Sequence, residues 1–228
     1  MSFSPDSGNI QPVLTISDLA QQKNLTSSHF FDAVNYLKKN PGVILDLEQY
    51  RATKRIVGEV KRTVRFIPIG SRQSKEWQFS INVPSGGIVA IQIEPPNGRS
   101  TPVGSIVLES FYQQGVTGVV IGGRLRDVES IPENFPIWAL GKTCCGSGGL
   151  WEEEIDGLIN LFGVPVTLGS LIIADENGLV VSPPLTPNEL KMVGKFVDVD
   201  DYAKFLVRNS GFNYNQAKNS AREHFGIN

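Results

Sequence analysis

Cysteine is almost missing from this chain of 228 residues: Cys144 and Cys145 are the only two, and they are neighbours. Adjacent cysteines bridge each other only with strain, and two thiols are too few for a structural zinc site. The simpler reading is a pair of unreactive thiols in a glycine-rich loop, and the alternative is a redox or nucleophilic thiol. Histidine is equally scarce. His29 and His224 lie far from the cysteines, so no Cys/His motif joins them. No apolar run approaches the roughly 20 residues needed to cross a bilayer. The first residues, Met1 to Gly8, are polar and lack a signal-peptide core. A reduced, cytoplasmic setting with no membrane partner is therefore expected. Charge of one sign is not in excess either. Lys and Arg number 21 against 23 for Asp and Glu, a formal net charge of −2. That balance excludes a nucleic-acid binder working through a broad basic field, but leaves a protein partner open.

What is present fits a globular domain, with 40% hydrophobic and 19% charged residues. No repeat, low-complexity tract or linker divides the chain. Residues 1–14 are expected to be disordered and residues 15–228 to form one domain. Ser17 to Ala20 begins a short helix, and Thr26-Ser27-Ser28 offers caps for the next, which Asn40-Pro41-Gly42 stops. Val57 to Ile69 alternates, which predicts a strand with Val60, Val64 and Phe66 on one face and Lys61, Thr63 and Arg65 on a wet one. Ile88 to Ile93 is a buried strand. Gly104-Ser105 opens an amphipathic helix that Gly115 closes. Gly118 to Ile121 is a second buried strand, ended by Gly122 and Gly123. These three elements predict a right-handed βαβ unit with parallel strands. Phe135 to Leu140 is a further strand, and Gly141 to Gly149 a glycine-rich loop without phosphate-loop spacing. Asp175 to Gly178 is the turn of a hairpin. The chain ends in polar helices, one starting at Asp200 and another spanning Asn215 to His224.

The βαβ unit brings chemistry to one corner, because open α/β sheets bind ligands at the carboxyl ends of their strands. A helix N-terminus presents unpaired N–H groups and a partial positive charge, here from Gly104, Ser105, Ile106 and Val107. Arg126 adds a permanent cation that can grip a carboxylate with two hydrogen bonds. Asp127 beside it offers hard oxygen donors suited to magnesium. A metal chelated by a 2-oxo acid would polarise its carbonyl and stabilise an enolate. An adjacent Arg-Asp pair at a strand end is, however, more often a capping or ion-pair feature than a site.

The stretch from Gly104-Ser105-Ile106-Val107 through Gly118 to Gly123 and Arg126-Asp127-Val128-Glu129 resembles the signature of RraA-like proteins. That family includes 4-hydroxy-4-methyl-2-oxoglutarate aldolases and proteins named as regulators of ribonuclease E. Phe135 to Gly141 is similar to its proline-led strand, and Gly163 to Pro183 to its closing hairpin. The likeness spans roughly residues 15 to 205. It implies an α/β fold, a layered α/β/β/α swivelling-domain-like sandwich with C-terminal helices. It also implies a ring-shaped homotrimer, or a hexamer, with the active site at the subunit interface. The implied activity is that of a metal-dependent lyase on a 2-oxo acid, by retro-aldol cleavage or oxaloacetate-type decarboxylation. In that mapping Arg126 binds the substrate carboxylate and Asp127 holds Mg2+ or Mn2+. Gly104, Ser105, Ile106 and Val107 line the substrate with backbone N–H groups. Two positions depart from the pattern. Ser105 stands where the aldolases carry Asp or Glu, and Leu168-Gly169-Ser170 where they carry Pro-Gly-Asp. A neutral hydroxyl is a weaker partner for a metal's water shell. Two alternatives follow: a metal-independent isomerase or cyclase of specialised metabolism on the same scaffold, and a non-catalytic protein-binding regulator.

Overall fold

The computed structural model describes residues 14–51, 55–68, 81–146 and 151–227. The N-terminal stretch expected to be disordered lies, up to residue 13, outside the described residues. Thr15 and Thr26 open α1 (Ile16–Gln22) and α2 (Ser27–Tyr36) as capping boxes. Each threonine hydroxyl accepts the N–H of the third helical residue, whose side chain in turn accepts the threonine N–H. Next come β1 (Gly42–Ile44), β2 (Glu48–Tyr50), β3 (Ile56–Pro68), β4 (Ile88–Ile93) and β5 (Ser100–Thr101), then α3 (Ser105–Gln113) and β6 (Gly118–Leu125). After a 3-10 turn at Val128–Ser130 follow β7 (Ile137–Lys142), β8 (Cys145–Gly146), β9 (Trp151–Ile155), β10 (Ile159–Leu161) and β11 (Val164–Val166). The chain ends with β12 (Leu171–Asp175), β13 (Gly178–Ser182), α4 (Pro187–Ser210) and α5 (Tyr214–Phe225).

The main sheet runs β1-β13-β12-β3-β4-β6-β7-β2. Strand β3 belongs to both of its halves. Its first part, Ile56 to Glu59, pairs with β12, and its second part pairs with β4 on one side and β9 on the other. Three apolar cores show the layering. Val107, Leu108 and Phe111 of α3 pack on Val89, Ile91 and Ile121. Mainly strand side chains, such as Val60, Ile88, Val120 and Ile172, fill the space between the two halves of the sheet. Leu19, Phe30 and Val193 of α1, α2 and α4 cover Leu171, Ile173 and Val180 on the far side. The result is the expected α/β/β/α sandwich, with α4 and α5 packed on each other as a C-terminal extension.

Four strands, β3, β4, β6 and β7, run parallel and finish at one edge. The βαβ pairing is as expected, from Ile88↔Gly118 to Gln92↔Gly122. Strand β6 nevertheless does not end at Gly122 and Gly123. It runs to Leu125, with a register shift against β7 between Ile121 and Arg124. The two glycines serve close packing instead of termination. A Cβ on Gly122 would lie 2.6 Å from Leu161 Cδ2, and one on Gly123 would lie 2.7 Å from Ile93 Cβ. The strand therefore delivers Arg126 directly to the rim.

Three further expectations are corrected. A bulge between Val60 and Arg62 in β3 inserts one residue and reverses the alternation. Val60 thus faces the inter-sheet core while Val64 and Phe66 face α3. Thr63 is fully buried, not wet, and its hydroxyl donates to the Gly157 carbonyl at 2.7 Å. At the C-terminus no helix starts at Asp200. Thr186 caps a single helix of 24 residues, and Asp200 sits well inside it. Finally, Gly141 and Lys142 belong to β7, and Cys145-Gly146 pairs in parallel with Ser100-Thr101, so part of the glycine-rich loop is a short strand.

Candidate active site

The carboxyl edge of the sheet carries a cleft of about 320 Å³ lined by Pro102, Gly104, Ser105, Ile106, Val107, Ser110, Arg126 and Asp127. Gly104, Ser105, Ile106, Val107, Arg126 and Asp127, the residues proposed from the sequence for substrate and metal, all line it, whereas Cys144 and Cys145 do not. Gly104 is the N-cap of α3, and its lack of a side chain leaves the first turn without a side-chain cap. The N–H groups of Ser105, Ile106 and Val107 are those a helix leaves unpaired. The side chain of Val107 belongs to the core, so only its backbone can serve a ligand. Gly104 also permits a close approach: a Cβ there would be 3.2 Å from Arg126 Cγ and Nε, and 3.4 Å from Asp127 Oδ2.

Arg126 and Asp127 form a loose pair, Nε to Oδ2 at 3.4 Å, with side chains 42% and 53% exposed. Such an exposed pair contributes about 0–1 kcal/mol, so both ends stay available to a ligand. Asp127 adopts left-handed backbone, φ 58° and ψ 39°, a conformation that aspartate tolerates better than most residues. The turn that follows is clamped by Arg51, which donates from Nε to the Val128 carbonyl at 2.8 Å and from Nη2 to that of Glu129.

The wall behind Arg126 comes from distant segments. Its backbone N–H donates to the Val103 carbonyl at 3.2 Å. Buried Thr101 donates to the Arg124 carbonyl at 2.6 Å and accepts from the Val103 N–H at 3.0 Å. Thr143 donates to the Arg99 carbonyl at 2.6 Å and accepts from the Cys145 N–H at 3.1 Å. The guanidinium itself lies against Gly146, where a Cβ would meet Nη1 at 2.8 Å. Arg51, Thr101, Thr143 and Gly146 carry no sequence signal that marks them for this corner, because only folding brings them there. Both cysteines are free and exposed.

A larger groove, about 430 Å³, lies between Leu14–Ser17 and Pro184–Leu190. Its charged groups, Glu59 and Lys61, are paired with each other at 2.8 Å, so it offers no converging set of free polar groups. The Arg126 cleft is smaller but is where cation, carboxylate and helix N-terminus meet.

Asp127 is the one carboxylate among the described residues that line the cleft. Among the described residues no three His, Cys, Asp or Glu side chains gather as a metal cage. This donor set fits magnesium or manganese taken up with a chelating substrate, since magnesium is commonly held by one or two carboxylates plus substrate oxygens and water.

The family model described as RraA-like, Aldolase/RraA, matches residues 27–181. The chain belongs to the RraA-like family. Among its relatives, protein DlpA of Legionella pneumophila is 26% identical over 177 residues, covering 74% of this chain and 28% of that protein. A putative 4-hydroxy-4-methyl-2-oxoglutarate aldolase of Halalkalibacterium halodurans is 31% identical over 120 residues, 52% of this chain and 57% of that protein. The chain thus spans only part of the length of these curated relatives. Among solved structures, an uncharacterized protein from Pseudomonas syringae superposes with a TM-score of 0.71 at 22% identity, covering 91% of this RraA-like chain and 100% of that one. The family match stops before α4 and α5, whereas the fold likeness extends over most of the chain.

Proposed function

We propose that this RraA-like chain is a lyase that cleaves a 2-oxo acid by retro-aldol reaction or oxaloacetate-type decarboxylation. The observation that carries the reading is the convergence of Arg126, Asp127 and the uncapped start of α3 on one cleft. Relatives named as 4-hydroxy-4-methyl-2-oxoglutarate aldolases support it. Arg126 takes the substrate's C1 carboxylate with two parallel hydrogen bonds, which fixes the oxo group's orientation. The N–H groups of Ser105, Ile106 and Val107 face the negative charge that develops as the C–C bond breaks. Asp127 would hold Mg2+ or Mn2+, which when bound polarises the 2-oxo carbonyl. Ser105 contributes a neutral hydroxyl that can hydrogen-bond but cannot serve as a carboxylate base, so in the retro-aldol reaction water accepts the proton of the substrate hydroxyl, and water supplies the proton that quenches the product enolate.

The test is pyruvate release from a panel of 4-hydroxy-2-oxo acids and oxaloacetate with magnesium or manganese. The Asp127→Ala variant is expected to lose at least tenfold in rate. Full activity in that variant would remove the proposal. A second reading rests on Ser105 in the lining: a metal-independent isomerase or cyclase on the same pocket. Turnover unchanged by a chelator would select it over the lyase.

A further inference from the structure

We infer that Cys144 and Cys145 form a thiol-modification site whose anionic adducts reach into the cleft and occupy Arg126. The inference rests on the reading of Arg126 as an anion grip, and it concerns how that grip is regulated. Both thiols are exposed. They directly precede Gly146, the residue against which the Arg126 guanidinium lies. Consecutive Cα atoms are about 3.8 Å apart, so both thiols are anchored within about 8 Å, Cα to Cα, of the guanidinium's seat at Gly146, a span that a tripeptide-sized adduct of about 10 Å can cross. The short strand that Cys145 opens, directly after Cys144, is held in place. Cys145 pairs with Ser100, Gly146 pairs with Thr101, and Thr143 ties Cys145 N–H to the Arg99 carbonyl. An adduct is therefore tethered at a fixed position, one or two residues from the seat of the Arg126 guanidinium.

The chemistry favours an external partner over an internal one. A disulfide needs Cα atoms about 4.4–6.8 Å apart, wider than the spacing of trans-linked neighbours, so closing a Cys144–Cys145 ring costs strain. A small disulfide instead reacts by exchange. A cysteine gives its proton to solvent and the thiolate attacks the S–S bond. One protein–S–S–R bond forms, and R–S⁻ leaves carrying the electron pair of the broken bond. The protein sulfur is oxidised and the departing sulfur reduced. Arg99 is exposed beside this strand and Arg126 lies behind it, so the local cations select an R group bearing carboxylates. Asp127 is the opposing charge of the same corner. A tethered carboxylate displaces it from Arg126 at the high effective concentration that tethering supplies.

The experiment uses the full chain and two disulfides: glutathione disulfide, which leaves an anionic adduct, and cystamine, which leaves a cationic one. Intact mass measures adduct formation, and peptide mass spectrometry measures phenylglyoxal labelling at Arg126. Glutathionylation is expected to slow Arg126 labelling at least threefold. The cystamine adduct should leave it unchanged, dithiothreitol should restore it, and the double variant C144S/C145S should show no response. Three results would each overturn the inference: no adduct on the folded protein, full glutathionylation with unchanged labelling, or equal protection by cystamine. Protection of Arg126 by oxalate in the reduced protein tests the anion grip separately, so failure of one reading is distinguishable from failure of the other.

Discussion

Arg126 is held by shape more than by charge. Its guanidinium rests on the Gly146 backbone and its Asp127 partner sits at a loose 3.4 Å. Replacing it with lysine keeps the charge but loses the planar fork. Arg126→Lys should therefore cost about 1.5–3 kcal/mol of transition-state binding, roughly 10- to 150-fold in kcat/KM, with the urea midpoint unchanged. Gly146→Ala tests the seat of the guanidinium. Its methyl group would meet only the tip of a flexible side chain, so unfolding free energy should stay within about 0.5 kcal/mol while oxalate affinity, read by calorimetry, falls about tenfold. Arg126, Asp127 and the helix start are legible in the sequence because they lie within or just beyond one βαβ unit. Gly146, Thr101 and Arg51 are not legible, because their roles depend on segments that meet only in the folded chain.

The bulge in β3 shows the limit of pattern reading for an element. One extra residue near Lys61 shifts every later side chain to the opposite face, and that residue is chosen by pairing with β4. Thr63 pays its way in the core by bonding Gly157. Thr63→Val should destabilise by about 1–3 kcal/mol by leaving that carbonyl without its donor, measurable by urea denaturation. Asp200 of α4 bonds His29 of α2 and Lys218 of α5, which ties the three helices together. Burial would raise the pKa of this carboxyl, but hydrogen bonds from Lys204, His29 and Lys218 outweigh that effect and hold it well below the usual carboxylate range. A depressed folded-state pKa stabilises at pH values above the unfolded pKa, near 4, and the benefit fades as pH falls below it. Asp200→Asn should therefore lower the urea midpoint at pH 7, and the gap from the parent should narrow at pH 3. Equal gaps at both pH values would show that the charge is not what matters. The hairpin and the threonine caps of α1 and α2 needed no tertiary help, because turn and capping chemistry is local.

At the scale of the whole molecule, the cleft is open and its rim is partly apolar. Ile106 is 85% exposed at the start of α3, an unusual place for a large aliphatic side chain. The family resemblance implies a ring of three chains with the site at the interface, and Ile106 is then the side chain best placed to be covered by a neighbour. Light scattering should report three chains per particle. Ile106→Glu should shift the mass toward the monomer and reduce oxo-acid cleavage with it. A trimer that survives Ile106→Glu would separate this side chain from assembly.

By itself the sequence determined the βαβ unit, the closing hairpin, the cap of the second helix and the residue types at the corner, because each is written in contacts a few residues apart or in a strongly periodic apolar pattern. Only the tertiary structure decided the bulge in β3, the continuation of β6 through its glycines to Arg126, and the single long α4. The same holds for the wall that seats the guanidinium. Those features follow from which strand lies beside which and what each glycine packs against, and that information exists only once distant segments have come together.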